Sequence, residues 1–214
     1  MADKLKIGQL SAGYGAELVL DSVSLEIEAG EFVFFTGANG SGKSTLAKVI
    51  LGLIESTTGE ITYAGQRINT NIISKKFGYV PQYASIERDF PISVREIIEL
   101  ECDLANEKCP TDVGAHLRLL QGEYLLERRI KDLSGGELQR ILIARGLVKD
   151  PELIILDEPV NNLDKQARDS LFDMLKTLNS QGKTIIVVLH DHNLMETIKN
   201  RKVYSFEEKN VELL

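Results

Sequence analysis

The fold is decided by one stretch of this 214-residue chain, Gly37-Ala38-Asn39-Gly40-Ser41-Gly42-Lys43-Ser44, which matches the pattern G-x-x-x-x-G-K-[ST]. It follows an apolar run and opens a helical pattern, which is the context that the motif requires. Its glycines let several backbone N–H groups converge on one anion, and the helix N-terminus adds a positive dipole end. Lys43 can reach the β- and γ-phosphates of a nucleotide, the Ser44 hydroxyl is placed to bind Mg²⁺, and Thr45 can hydrogen-bond the α-phosphate. The stretch therefore predicts a phosphate-binding loop rather than a glycine-rich turn that merely caps a helix.

Working outward from this loop, short apolar runs alternate with helical patterns, which indicates βαβ units and a mostly parallel sheet. Buried strands are predicted at 31–35, 152–156 and 184–189. The alternating segments 5–10 and 18–27 predict a half-exposed antiparallel layer. Helices are predicted at 43–53, 94–105, 111–120, 135–149, 165–179 and 194–199. The fold class is thus α/β, with residues 1–83 and 134–214 forming the core and residues 84–133 forming an inserted helical subdomain.

Composition narrows the function classes. Lys and Arg number 25 against 32 Asp and Glu, a net charge of −7, which disfavours nucleic acid as a partner. No apolar run approaches the length of a membrane span, and the N-terminus lacks the apolar core of a signal peptide, so we expect a cytoplasmic chain. In that compartment Cys102 and Cys109 are predicted to be free thiols, with a metal-ligand pair as the alternative. The acidic segment that begins at Glu96 is predicted to be a solvated face, with a surface that meets a partner chain as the alternative.

A second candidate site follows the apolar run Leu153–Leu156, where Asp157 and Glu158 stand at its carboxyl end. That edge is where α/β sheets bind ligands. We expect Asp157 to serve Mg²⁺ and Glu158 to polarise an attacking water. Two acids that simply end a strand are the alternative, which the loop upstream disfavours.

The third feature is Ser134-Gly135-Gly136-Glu137, preceded by Leu133, at the start of a predicted helix. Ser134 and Glu137 have the spacing of a capping box. Capping alone does not require two consecutive glycines, which cost helix stability. They indicate that backbone N–H groups meet a closely approaching group, most naturally an anion.

With these motifs the chain resembles the ATP-binding cassette ATPases, whose signature is Leu-Ser-Gly-Gly-Gln or a close variant. The resemblance runs along the whole chain in the family's order. It aligns Tyr14 with an adenine-stacking aromatic, Gln82 with the Q-loop, Asn161-Asn162-Leu163-Asp164 with the D-loop, and His190 with the switch histidine. Glu137 replaces the usual Gln, and Asn161-Asn162 replaces Ser-Ala. A metal site at His190-Asp191-His192 is the weaker interpretation.

The resemblance implies a Mg-ATP-hydrolysing subunit that forms a head-to-tail dimer with a second copy. Lys43, Gln82, Glu158 and His190 would be catalytic. Ser44, Gln82 and Asp157 would serve Mg²⁺. ATP would contact Tyr14, the loop residues Gly37, Asn39, Gly40, Ser41, Gly42, Lys43, Ser44 and Thr45, and the Ser134, Gly135, Gly136 and Asp164 of the other copy.

The resemblance further implies transmembrane permease subunits, an extracytoplasmic substrate-binding protein, and a peripheral position on the inner face of the cell membrane. The segment Asp89-Phe90-Pro91-Ile92-Ser93-Val94-Arg95 is similar to zinc or manganese importers, although a turn with Pro91 ahead of a helix also explains it. Importers of iron chelates or cobalamin, a non-transport cassette protein and a non-hydrolysing nucleotide switch remain alternatives.

Overall fold

Two β-sheets and the helices around them are seen in a computed structural model, which describes residues 4–15, 17–82, 91–104, 108–109, 112–161, 163–207 and 209–214. The strands, in chain order, are β1 Leu5–Tyr14, β2 Glu17–Ile27, β3 Phe32–Gly37, β4 Ser56–Tyr63, β5 Gln66–Arg67, β6 Phe77–Val80, β7 Leu153–Asp157, β8 Thr184–Val188, β9 Arg201–Glu207 and β10 Asn210–Leu213. The helices are α1 Lys43–Ile50, α2 Thr70–Lys76, α3 Val94–Leu104, α4 Ala115–Leu119, α5 Gly135–Leu147, α6 Lys165–Ser180 and α7 His192–Glu196.

The central sheet has six strands in the order β10-β9-β3-β8-β7-β6. All neighbours pair in parallel except β10, which runs antiparallel to β9. Every residue of β7 and β8 is buried, as are the first five of β3. Strands covered on both faces need apolar side chains on both faces, which is why they form unbroken apolar runs. The predicted α/β fold with a mostly parallel sheet is confirmed.

The second sheet contains four antiparallel strands in the order β2-β1-β4-β5. Leu5, Ile7, Leu25 and Ile27 lie on its buried side and pack in the same apolar cluster as α1 and one face of the central sheet. This sheet is the predicted antiparallel layer. It is larger than predicted, because β4 and β5 join it from beyond the phosphate loop.

Several elements were missed or end elsewhere than predicted. The pattern did not reveal β4, β5, β6, β9, β10 or α2. Helix α1 ends at Ile50 rather than at 53, because Gly52 adopts a left-handed φ of 65° and its N–H donates to the Val49 carbonyl. Helix α7 starts at 192 rather than at 194, because the Asp191 carboxylate caps its first turn.

Helices α3 and α4 pack on α5 and belong to the apolar cluster on the other face of the central sheet. The described part of 91–133 contains no strand longer than the single bridge between Ser93 and Arg129. Helix α4 is shorter than the predicted 111–120, and residues 110–111 lie outside the described part. No described helix is long and apolar enough to cross a bilayer.

The prediction of free thiols was wrong, because Cys102 and Cys109 form a disulfide. Cys102 lies in the last turns of α3, and its Cα lies 5.4 Å from that of Cys109. That separation is in the usual range for a disulfide. The bridge fastens the end of α3 to the segment that follows it.

Candidate functional site

The phosphate-binding loop connects β3 to α1 and depends on glycine at two positions in particular. Gly42 is the N-cap of α1 with a φ of 103°, and no side chain caps that helix end. Gly37 has a φ of 138°, and a Cβ there would lie 2.3 Å from the Phe206 carbonyl oxygen of β9. Both the backbone angles and the close approach of β9 therefore exclude a side chain. The result is a helix N-terminus whose first N–H groups are left for an external acceptor.

Lys43 is buried inside this loop. Its Nζ donates to the carbonyl oxygens of Gly37 at 2.9 Å and Ala38 at 2.6 Å, and lies 3.4 Å from the Ser41 Oγ. Burial lowers the pKa of the Lys43 ammonium, and the negative charges of Glu158 and Asp157 oppose that shift. The loop thus surrounds a cationic group with its own backbone oxygens, in the place where the motif predicts contact with phosphate.

Asp157 is the last residue of β7 and lies next to the start of α1. The Ser44 hydroxyl donates to the Asp157 Oδ1 at 2.8 Å, and the aspartate is 1% exposed. Burial raises the pKa of the Asp157 carboxyl, and the Ser44 hydrogen bond opposes this rise. A hydroxyl and a carboxylate side by side are the hard oxygen donors that Mg²⁺ prefers, so the pair fits that ion.

Glu158 follows in a turn, with a left-handed φ of 47°. Its Oε2 accepts hydrogen bonds from the Gln82 Nε2 at 3.1 Å and the Asn161 Nδ2 at 2.7 Å. The His190 Nδ1 lies 3.6 Å from its Oε1. The sequence motifs predict Glu158, Gln82 and His190 at the site but not this role of Asn161. The signal was available, because a turn that begins at Glu158 brings the residue three positions later next to it.

The strand order explains why these side chains meet. Strands β3, β8, β7 and β6 are consecutive neighbours, and parallel strands place their carboxyl ends at one edge. At that edge β3 runs into the loop, β7 ends at Asp157, and Gln82 and His190 follow β6 and β8 by two residues each.

The site opens into a cavity of about 450 Å³. Its walls combine residues of the loop, of the sheet edge and of the antiparallel layer: Tyr14, Val19, Asn39, Gly40, Gly42, Lys43, Ser44, Thr45, Gln82, Glu158 and His190. Tyr14 is 53% exposed, which leaves its ring available to a flat ligand. Val19, on β2, is an apolar wall residue that none of the sequence motifs includes.

Ser134, Gly135, Gly136 and Asp164 do not line this cavity. Ser134 and Glu137 form a capping box at the start of α5, with reciprocal hydrogen bonds of 3.3 and 2.8 Å. Asp164 caps α6 by accepting from the Ala167 N–H at 2.8 Å. Within a single chain, capping therefore accounts for the positions of Ser134 and Asp164. Asn162, Asp89 and Phe90 lie outside the described residues.

Comparison with known proteins gives a consistent result. Residues 20–161 match the family described as ABC transporter. The chain is 35% identical to the zinc import ATP-binding protein of Vibrio parahaemolyticus, over 91% of this chain and 70% of that protein. It is 36% identical to the high-affinity zinc uptake system ATP-binding protein of Bacillus subtilis, over 89% and 86% of the two chains. It is also 36% identical to the manganese transport system ATP-binding protein of Listeria monocytogenes, over 87% and 80%.

Solved structures agree with the sequence comparison. The dimeric structure of a bacterial ABC transporter cassette superimposes with a TM-score of 0.86 at 29% identity, covering 97% of this chain and 96% of that one. A dimeric post-hydrolysis state of the same cassette, bound to ADP and phosphate, superimposes with a TM-score of 0.85 at 28% identity and the same coverage.

Proposed function

Since this chain belongs to the ABC transporter family and is an ATP-hydrolysing, nucleotide-binding subunit, we propose that it powers import of a metal ion, zinc or manganese, through a separate membrane permease. The observation that carries the enzymatic part is the meeting of three features at one cavity. These are the loop around Lys43, the Ser44–Asp157 oxygen pair, and the Glu158 carboxylate with its hydrogen-bond donors.

ATP would lie with its adenine on the exposed ring of Tyr14 and its phosphates on the loop. Residues 37–42 supply backbone N–H groups, and the N-terminus of α1 adds its dipole. Lys43 would exchange its contacts with loop carbonyls for contacts with phosphate oxygens. Thr45, which also lines the cavity, is a second hydroxyl donor at the start of α1.

Mg²⁺ would be held by the Ser44 hydroxyl and by Asp157, with Gln82 beside them. When bound, this ion supplies positive charge that offsets the charge of the phosphates. Glu158 is the proposed general base. Gln82 and Asn161 hold its carboxylate in place, and the nearby His190 would orient the water or the γ-phosphate.

A second copy would complete the site. Ser134, Gly135, Gly136 and Asp164 lie away from the cavity of their own chain, which supports a role at the cavity of a partner. The dimeric form of the similar bacterial cassette is consistent with this arrangement. In the head-to-tail dimer, the start of α5 would meet the γ-phosphate held by the loop of the other copy.

The proposed domain organisation consists of a nucleotide-binding core and an inserted helical subdomain. Residues 1–83 and 134–214 form the proposed nucleotide-binding core, and residues 84–133 the proposed helical subdomain, whose described part contains α3 and α4. We place the protein on the inner face of the cell membrane, attached through its permease. An extracytoplasmic substrate-binding protein completes the proposed import system.

The choice of metal is supported by the zinc and manganese import proteins that share about 35% of the sequence. Other importers remain the second candidate. Purification of the chain with its permease, followed by transport assays with a panel of metals, tests the choice. Uptake of an iron chelate or cobalamin in place of zinc and manganese would contradict it.

The enzymatic proposal is tested by Glu158→Gln, which keeps the shape of the side chain but removes the base. We expect turnover to be lost and an ATP-stabilised dimer to appear in size-exclusion chromatography. Glu60→Gln is the matched control, since it removes the same charge from an exposed position of β4. A Glu158→Gln protein that stays monomeric in Mg-ATP would contradict the proposed head-to-tail dimer.

Two further variants separate nucleotide binding from dimer closure. Lys43→Ala should abolish nucleotide binding or turnover, and unchanged turnover would refute the site. Ser134→Arg should block dimerisation while calorimetry still detects ATP binding to the loop. Complete loss of ATP binding in Ser134→Arg would show that Ser134 does not act across the dimer.

A further inference from the structure

Glu137 introduces a negative charge at the N-terminus of α5, where the family signature usually has a neutral Gln. Its carboxylate is held by three groups. The Oε2 accepts from the Ser134 backbone N–H at 2.8 Å, and the Oε1 accepts from the Tyr124 hydroxyl and the Arg128 Nη1, each at 3.2 Å. The side chain is 18% exposed, so these contacts determine its position.

Arg128 contacts this region at two points. Besides the ion pair with Glu137, its Nη2 donates to the Asp132 carbonyl oxygen at 3.0 Å. Asp132 lies two residues before Ser134, so one guanidinium fastens both the carboxylate and the segment that leads into α5. The side chain of Arg128 is 43% exposed and Tyr124 is 61% exposed. Both approach from the solvent side and are not part of the apolar core.

The charge of Glu137 opposes the proposed function. The hydrogen bonds from the Ser134 backbone and hydroxyl hold the pKa of the Glu137 carboxyl below its usual range, so it is ionised at neutral pH. A carboxylate in the first turn stabilises a helix by complementing its dipole. The same dipole would attract the phosphates of the second copy, and an uncompensated carboxylate beside them would repel those phosphates.

We propose that Arg128, assisted by Tyr124, is a positioning residue that neutralises Glu137 and turns it toward the Ser134 N–H, so that the start of α5 can receive a triphosphate held by a second copy. This inference rests on the proposed function. Arg128 and Tyr124 lie outside the family's motifs, and their contacts with Glu137 would allow this chain to carry Glu where the signature usually has Gln.

The test is a double-mutant cycle in the Glu158→Gln background, with the ATP concentration for half-maximal dimerisation as the measurement. We expect Arg128→Gln to raise that concentration at least tenfold. In the double variant with Glu137→Gln, the concentration should return to within threefold of that of Glu137→Gln alone, because no charge then needs neutralising. Arg129→Gln is the matched control. It removes the same charge one position away, from an exposed residue that does not contact Glu137.

Salt provides a readout that a purely structural role would not change. The defect of Arg128→Gln should shrink as the salt concentration rises, because screening weakens the repulsion between Glu137 and phosphate. Arg128→Lys, which retains the charge but not the planar fork, should recover part of the loss. Thermal unfolding of each variant separates misfolding from the predicted effect.

Two results overturn the inference. One is an Arg128→Gln protein that dimerises like its background, and the other is a double variant as defective as Arg128→Gln alone. If the Glu158→Gln background itself does not dimerise in Mg-ATP, the proposed function fails, and this inference fails with it. Calorimetric titration of ATP into each monomer shows whether binding to the loop has survived.

Discussion

Replacement of Gly37 by alanine tests the geometry of the phosphate loop without any nucleotide. Gly37 is the last residue of β3 and pairs with Phe206 of β9. An added Cβ would lie 2.3 Å from the Phe206 carbonyl oxygen and 3.1 Å from the Ser41 Oγ, at a φ of 138°. The first contact is with backbone, so it is relieved only if β9 or the loop shifts.

Two costs add in this variant. A non-glycine residue in so sparsely populated a backbone region costs about 1–3 kcal/mol. Displacing a packed neighbour to admit an extra carbon costs about another 1–3 kcal/mol. The middle of the summed range is about 4 kcal/mol. For a chain of this length that free energy lowers the unfolding temperature by roughly 8–16 °C.

Gly40→Ala is the matched control in the same loop. Gly40 also has a left-handed φ, of 81°, but a Cβ there would meet nothing within 4 Å. Only the backbone cost of about 1–2 kcal/mol remains. Calorimetric unfolding of both variants without nucleotide should therefore show a much larger loss for Gly37→Ala. Equal unfolding temperatures would refute the argument that β9 excludes a side chain at position 37.

Three further outcomes are expected. Asp157→Asn should raise the unfolding temperature of the nucleotide-free protein and remove Mg²⁺-dependent ATP binding. Because burial raises the pKa of Asp157, the wild type loses stability relative to this variant as pH rises through that pKa, and denaturant titrations at several pH values measure the difference. Cys102→Ser should lower the free energy of unfolding by about 2 kcal/mol under oxidising conditions. A reductant should destabilise the wild type by a similar amount and leave the stability of the variant unchanged. A wild type whose stability does not respond to reductant would exclude the disulfide. Tyr14→Ala should weaken ATP binding about tenfold through loss of base stacking, whereas Tyr14→Phe should bind normally, and a fluorescent ATP analogue measures both.

The central sheet was predictable only where its strands are buried on both faces. Strands β3, β7 and β8 stood out as apolar runs for that reason. At the edge of this sheet β10 has only one partly buried residue, and in the antiparallel sheet the first five residues of β4 are exposed, so neither segment carries an apolar signal. Such strands are fixed by pairing with neighbouring strands rather than by their own composition.

The candidate site was likewise predictable only in part, where its residues are adjacent in sequence. Local motifs identified the loop, Asp157 and Glu158, because each motif carries its chemistry in adjacent residues. The contact of Gln82 with Glu158 depends on strand order, which local patterns do not specify, whereas Asn161 reaches the same oxygen through the local turn that begins at Glu158. The disulfide was missed for a related reason. The expectation came from the presumed compartment, whereas pairing depends on the distance between the two cysteines in the folded chain.

The contacts of Lys43 with Gly37 and Ala38 have a consequence for the speed of ligand capture. A flexible glycine-rich segment would have to become ordered at each encounter, and that ordering would slow association and weaken affinity. Here the Lys43 ammonium already holds the loop in place by donating to two of its carbonyl oxygens. We therefore expect the loop to meet its ligand already ordered, so that binding requires the exchange of the Lys43 contacts rather than folding of the whole segment.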